Sequence, residues 1–154
     1  MAKAIPDGYH SITPYLYVSR SSEAIEFYKA AFGAEEIYRL AMPDGSIAHA
    51  EIVIGTSRIM LSDENPAWGT RGPKALGGPS CGFAFYCEDS DAMFERAVKA
   101  GATVHRPVAD QFYGDRSGSV VDPFGHVWTL STHREDLTPA QMQERMNAWM
   151  AGNS

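Results

Sequence analysis

Residues 112–133 read FYGDRSGSVVDPFGHVWTLSTH, and this stretch decides the fold. It divides into a polar aromatic loop (Phe112 to Arg116), a short strand (Ser119 to Val121), a tight turn (Asp122-Pro123-Phe124-Gly125) and a second strand (His126 to Ser131). Pro123 fixes one turn torsion and Gly125 supplies backbone freedom two residues on, so the turn has a physical cause. In the closing strand Thr129, Ser131 and His133 alternate with Trp128, Leu130 and Thr132. One face is therefore small and polar and the other bulky, which suits the wall of a small-molecule cleft.

Working outward, the same order of elements occurs twice. ITPYLYV, residues 12–18, alternates as a strand, with Thr13, Tyr15 and Tyr17 on one face and Leu16 and Val18 on the other. Ser21 or Ser22 is expected to cap a helix that begins at Glu23 and buries Ala24, Phe27, Tyr28 and Ala31. Gly33 ends it. Glu36 to Met42 and Ile47 to Ile54 form a hairpin through Pro43-Asp44-Gly45, and Arg58 to Ser62 is a further strand. In the second copy, Gly82 to Cys87 is a strand and Asp89 or Ser90 caps a helix through Lys99. Thr103 to Arg106 then leads into the opening stretch. Phe32-Gly33-Ala34 corresponds to Ala100-Gly101-Ala102, and the copies are offset by 68 to 70 residues throughout. This is an internal repeat of a βαβββ unit. Two such units, each with an apolar face to hide, are expected to pair their sheets and cover them with helices.

Between the copies, Asp63 to Ser80 is rich in Gly, Pro and Asn and has no period. It reads as a linker or mobile lid, with Trp68 either capping a ligand or anchoring the loop. After them, Thr138-Pro139-Ala140-Gln141 opens a third helix as a capping box. Its stripe of Met142, Met146, Trp149 and Met150 has to dock on this chain or a second copy, and a homodimer is expected.

Composition removes several function classes. The net charge of −6, with no basic run, opposes a nucleic-acid partner. No apolar stretch reaches the roughly 20 residues that span a bilayer, and Met1 to His10 holds no apolar signal core. A cytoplasmic protein without membrane or nucleic-acid partners is expected. Cys81 and Cys87 have neither metal-finger nor redox-pair spacing and read as reduced thiols in or near the core. No Ser or Cys stands in a nucleophile turn and no glycine loop is placed to cradle phosphate.

His49 and Glu51 lie two apart on one strand and share a face. That pair suits a general base or a metal ligand in a cleft, or a solvated face of an outer strand. His133 ends the polar face of Thr129 and Ser131. These three are the candidate catalytic residues. His126 reads as structural, and His10 and His105 as surface residues. In the loop, Tyr113, Asp115 and Arg116 can close one end of a cleft, Arg116 pairing with a ligand carboxylate or phosphate, or Asp115 and Arg116 can pair only with each other.

The ordered set TPYLYVSRSSEAIEFYKAAFGAEEIYR, PDGSIAHAEIVIG, IMLSDE, FYGDR and DPFGHVWTLSTH resembles the vicinal oxygen chelate superfamily. That superfamily includes glyoxalase I, bleomycin-resistance proteins and extradiol dioxygenases, and the chain is most similar to its PhnB-like branch. The likeness runs from about Ile12 to Asp136. It implies an α+β fold: two tandem βαβββ modules, about 11–63 and 81–134, joined by a linker at 64–80. They would form an open, cup-shaped mixed sheet, followed by the C-terminal helix at 138–151. It also implies metal-ligand positions at Thr13, Met60, Gly82 and Thr129, and none of these four side chains is a dependable ligand for a divalent ion. Met60 and Thr129 then become cleft wall, together with Tyr15, Tyr17, Tyr86, Tyr113 and Arg116. No cofactor is expected, although a divalent metal on His49, Glu51 and His133 stays open on ligand chemistry. The expected function is binding of an aromatic or amphipathic small molecule in a metal-free cleft. The alternative is a lyase, isomerase or dioxygenase using a relocated metal or acid–base catalysis.

Overall fold

The computed structural model describes residues 1–153. Module one comprises β1 (Tyr15–Val18), α1 (Ser21–Phe32), β2 (Glu35–Ala41), β3 (Ile47–Ile54) and β4 (Ser57–Asp63). The linker carries a 3₁₀ turn (Pro66–Trp68) and the one-turn α2 (Pro73–Leu76). Module two repeats the order with β5 (Gly82–Tyr86), α3 (Ser90–Ala100), β6 (Thr103–Asp110), β7 (Asp115–Val121) and β8 (Val127–His133). Helix α4 (Pro139–Gly152) follows. The strands make two four-stranded mixed sheets, β1-β4-β3-β2 and β5-β8-β7-β6. In each, the strand before the helix lies parallel to the last strand, and the other pairs are antiparallel.

Alternation along the strands separates core from site. Leu16, Val18, Ala50, Ile52, Ile54, Ile59 and Leu61 are buried on the face toward α1, which contributes Ala24, Ile25, Tyr28 and Phe32. The opposite face carries Tyr15, His49, Glu51 and Met60. Module two packs against α1 through aromatic rings: Trp128 lies 5.4 Å from Tyr28 and 4.8 Å from Phe32 between centroids. From α3, Arg96 Nε donates to the carbonyl of Ala30 at 2.6 Å, so a side chain of one module caps the helix of the other.

Several local expectations change. Helix α1 starts at Ser21, and neither serine caps it; Arg20 holds the cap position without a side-chain bond. The cap comes from far along the chain: Asp63 accepts from the Ser21 N–H at 2.7 Å and from the Ile47 N–H at 2.6 Å. At the matching place in module two, Thr132 Oγ1 accepts from the Ser90 N–H at 2.8 Å, alongside a conventional cap by Asp89. β6 extends past Pro107 to Asp110, and β7 begins at Asp115 instead of Ser119. β6 is an edge strand, where a missing proline donor is tolerated, and the register slips between Arg106 and Ala109.

The linker is folded. Asn65 caps the 3₁₀ turn, and Glu64 accepts from the Gly72 N–H at 2.7 Å. Gly72 passes so close to β1 that a Cβ there would lie 2.9 Å from the Tyr17 carbonyl oxygen. Trp68 points outward, 65% exposed. Cys81 is also exposed, outside the core, while Cys87 is half-buried and burial pushes its thiol pKa up. On α4 no residue is fully buried. It is held by Trp149 against Phe112, with ring centroids 5.8 Å apart, and by a two-pronged Arg145–Glu135 pair. Among the described residues no helix is long and apolar enough to cross a membrane.

Candidate functional site

β3 turns His49 and Glu51 away from α1, as their spacing implies, and neighbouring strands complete a chain of polar groups. Tyr38, opposite Glu51 on β2, donates its hydroxyl to Glu51 Oε1 at 2.8 Å. His49 Nε2 lies 3.2 Å from the same oxygen, and Tyr15 Oη lies 2.9 Å from His49 Nδ1. A neutral imidazole protonated at Nε2 satisfies the whole chain, with Tyr15 donating to Nδ1 and His49 to Glu51. Glu51 is only 5% exposed. Met60 stands beside it, paired in register with Tyr15 on one side and Glu51 on the other.

A cavity of about 670 Å³ lies over this face, between the sheet and the N-terminal segment. Ile5, Pro6, Ile37 and Met60 supply apolar wall, and Tyr38 and Glu51 supply polar groups. Arg58 fastens the segment: its guanidinium sits 4.6 Å from the centroid of the Tyr9 ring, and its Nε donates to the Gly8 carbonyl at 3.2 Å. Tyr38, Arg58 and the segment before Ile12 are the parts of this cavity that reading the sequence missed. Tyr38 was not legible from the turn, since it is a register shift between Leu40 and Ala41 that sets it opposite Glu51. The segment has no period and gave no signal.

The other candidates gather at the far module. Asp115, 5% exposed, accepts from Tyr86 Oη at 2.7 Å and is joined to His133 Nδ1 at 2.8 Å. His133 Nε2 reaches Asp136 at 2.9 Å. Asp136 first and Asp115 second raise the His133 pKa above its usual 6.5, and the bond to Asp115 raises that of Tyr86. Arg116 does not pair with Asp115, although both line a polar cavity of about 580 Å³ with Arg134, Glu135 and Arg145. Arg116 clasps both Asp91 oxygens on α3, at 2.6 and 2.7 Å, and reaches Asp110 at 3.2 Å. Tyr113 bonds Ser117 and Thr129 bonds Ser119, each at 3.1 Å. Tyr17 lies under the folded linker, its carbonyl 3.2 Å from Nε2 of the buried His126. The expected cleft wall is thus divided: Tyr15, Met60, His49 and Glu51 in one cluster, Tyr86, Tyr113, Arg116, Thr129 and His133 around the second module. At the junction of the modules a smaller, mainly apolar cavity of about 380 Å³ is lined by Pro14, Ile54, Ile59, Phe83, Phe85 and Trp128.

The four positions implied as metal ligands offer no dependable donor to a divalent ion. Strand register pairs Met60 with Tyr15 instead of Thr13, and Thr129 with Ala84 instead of Gly82. None of these positions holds a histidine or a carboxylate. Among the described residues no three His, Cys, Asp or Glu side chains are grouped to hold a metal ion. His49 and Glu51 form one cluster, and His133 binds Asp115 and Asp136 in another.

Comparison with known proteins accords with this architecture. An uncharacterised protein of Mycobacterium tuberculosis is 38% identical over 141 residues, covering 90% of this chain and 83% of that one. The crystal structure of TioX from Micromonospora sp. ML1 superposes with a TM-score of 0.65 at 25% identity, covering 81% of this chain and 99% of that one. The PhnB protein from Bacillus cereus shares the fold, with a TM-score of 0.63 at 19% identity over 80% of this chain and 99% of its own. Residues 8–130, which take in module one and all but the end of β8 in module two, match the family described as Glyoxalase/Bleomycin resistance protein/Dioxygenase superfamily, and the chain belongs to it.

Proposed function

We propose that this protein binds a small amphipathic molecule, without a resident metal, in the cavity between the module-one sheet and the N-terminal segment. The observation that carries this reading is the joining, in one cavity, of an apolar wall to the hydrogen-bonded Tyr38–Glu51 end of the polar chain. Binding pockets combine mostly apolar lining with a few fixed polar groups in this way. The test is a small-molecule screen by nuclear magnetic resonance on protein with labelled methionine methyls, Met60 being assigned by Met60→Leu. Binders should shift the Met60 methyl. Binders that move only other methyls, or no binders at all, would refute the proposal.

A second reading, acid–base catalysis, is favoured by the Tyr15–His49–Glu51 chain, which can relay a proton between a hydroxyl and a carboxylate. It predicts that His49→Ala with Glu51→Ala abolishes turnover of any substrate found, while the fold persists.

A further inference from the structure

Within the cavity proposed above, Glu51 has one oxygen committed and one free. Both of its hydrogen bonds, from Tyr38 and with His49, go to Oε1, and Oε2 has no partner among the described residues. Nor is Oε2 sealed in protein, since the buried side-chain atoms lacking a partner are the hydroxyls of Ser21 and Ser90 alone. Glu51 lines the cavity, so a partner for Oε2 would have to come from there.

The carboxylate also lacks a permanent counter-ion. Among the described residues no lysine or arginine nitrogen lies within 4.0 Å of it, and the one ion-pair neighbour is His49, 3.2 Å from Oε1. Arg58 lines the same cavity, over the Tyr9 ring and donating to the Gly8 carbonyl, and forms no ion pair with Glu51. A carboxylate that is 95% buried with one open oxygen is costly unless something positive reaches it. Its surroundings suit an organic ligand: Tyr9 and Tyr38 add aromatic wall, and Ile5, Pro6, Ile37 and Met60 favour an apolar body.

We infer that the ligand is an organic cation, a primary ammonium on an apolar or aromatic body, with its N–H groups donating to Glu51 Oε2. This rests on the cavity being the binding site, and the test separates the two claims.

Phenethylamine and tryptamine would be titrated into the full chain beside their N-acetyl derivatives, which keep the body and lose the charge, and beside phenylpropionate, which reverses it. The Met60 methyl reports occupancy. The amines should bind at least about tenfold more tightly than the acetylated forms, the weight of one charge-assisted hydrogen bond. Glu51→Gln keeps the Oε1 acceptor for Tyr38 and His49 and replaces the open oxygen by an amide nitrogen. It should erase the preference of the amines over the acetylated probes. If acetylated or anionic probes shift Met60 as well as the amines do, the cation is wrong and the cavity stands. If Glu51→Gln binds amines undiminished, the assignment to Oε2 is wrong. If no probe at millimolar concentration moves Met60, both claims fall. The comparison of amine with acetylated probe needs no variant, so misfolding of Glu51→Gln cannot protect the inference.

Discussion

Tyr28 Oη lies 2.6 Å from Asp122 Oδ2, so a helix of module one donates into the turn of module two across 94 positions of sequence. Trp128 Nε1 donates to the same oxygen at 2.9 Å, and the N–H groups of Phe124 and His126 take Oδ1 at 2.9 and 3.0 Å. The carboxylate, 3% exposed, is thus supplied with four donors and joins the turn, β8 and α1. This is one reason the modules hold a fixed relation although their sheets are separate.

Tyr28→Phe removes one donor from a buried carboxylate and should cost about 1.5–3 kcal/mol, the range for hydrogen bonds to charged groups. Urea unfolding would measure it. Burial first, and then the Asp122 charge, raise the Tyr28 pKa well above 10.0. The native state therefore keeps this proton when the unfolded chain releases it, and stability should fall as pH rises above about 10. Tyr28→Phe should lack that part of the fall. If parent and variant lose stability equally in alkali, the assignment to Tyr28 is wrong.

Much of this relation was legible beforehand. The Asp-Pro-x-Gly turn, the repeat and the face of α1 containing Tyr28 all follow from spacing, because each is fixed by neighbours a few residues away. What spacing does not carry is the partner at a distance. Asp63 takes the capping role expected of Ser21 or Ser22 because β4 ends beside the start of α1. Arg116 chooses Asp91, which β7 meets only once α3 has packed on the sheet. The site divided for a similar reason: strand parity set Tyr15 apart from Leu16 and Tyr86 apart from Phe85 but could not say that the two faces carry separate clusters.

Glu36 should mark the acid limb of stability. Arg39 foremost, and then Lys29, bond its carboxylate and lower its pKa to about 2. A depressed carboxylate contributes stability above its unfolded value of 4.5, and the contribution is lost as pH falls through about 2. The side chain is 21% exposed, so solvent reduces the effect to about 1 kcal/mol or less. Glu36→Gln should be less stable than the parent at neutral pH, with the gap closing between pH 4.5 and 2. A gap that stays constant across that window would show that the pairing is unimportant.

His133 should titrate above 6.5, visible in the shift of its ring protons. A raised folded pKa means its stabilising contribution is complete below 6.5 and disappears as pH climbs through the folded value. Asp136 exerts the larger pull but is fully exposed, whereas Asp115 is buried. Added salt should therefore remove the Asp136 part and leave that of Asp115. Asp136→Asn should lower the midpoint at low salt and matter little at high salt, while Asp115→Asn should lower it in both. If the midpoint is indifferent to both substitutions, the cluster is not formed in solution.

Arg58→Ala should free the N-terminal segment while leaving the fold intact. Residues 1–8 are all exposed and contribute nothing to the core, and Arg58 itself lies outside it. The surface change should cost no more than about 0.5 kcal/mol in unfolding. What it removes is the grip on Tyr9 and Gly8, so backbone relaxation of the segment should show faster, larger motion. Because that segment forms one wall of the cavity, any molecule that shifts Met60 should dissociate more quickly from the variant, with its encounter rate little changed. Gly8→Ala offers a control from the other side of the contact. Gly8 has a φ of +83°, which alanine adopts only under strain, and its Cβ would meet the Arg58 guanidinium at 2.7 Å. It should loosen the same segment and speed the same dissociation. Equal dissociation rates in parent and both variants would show that the segment passes over the cavity without closing it.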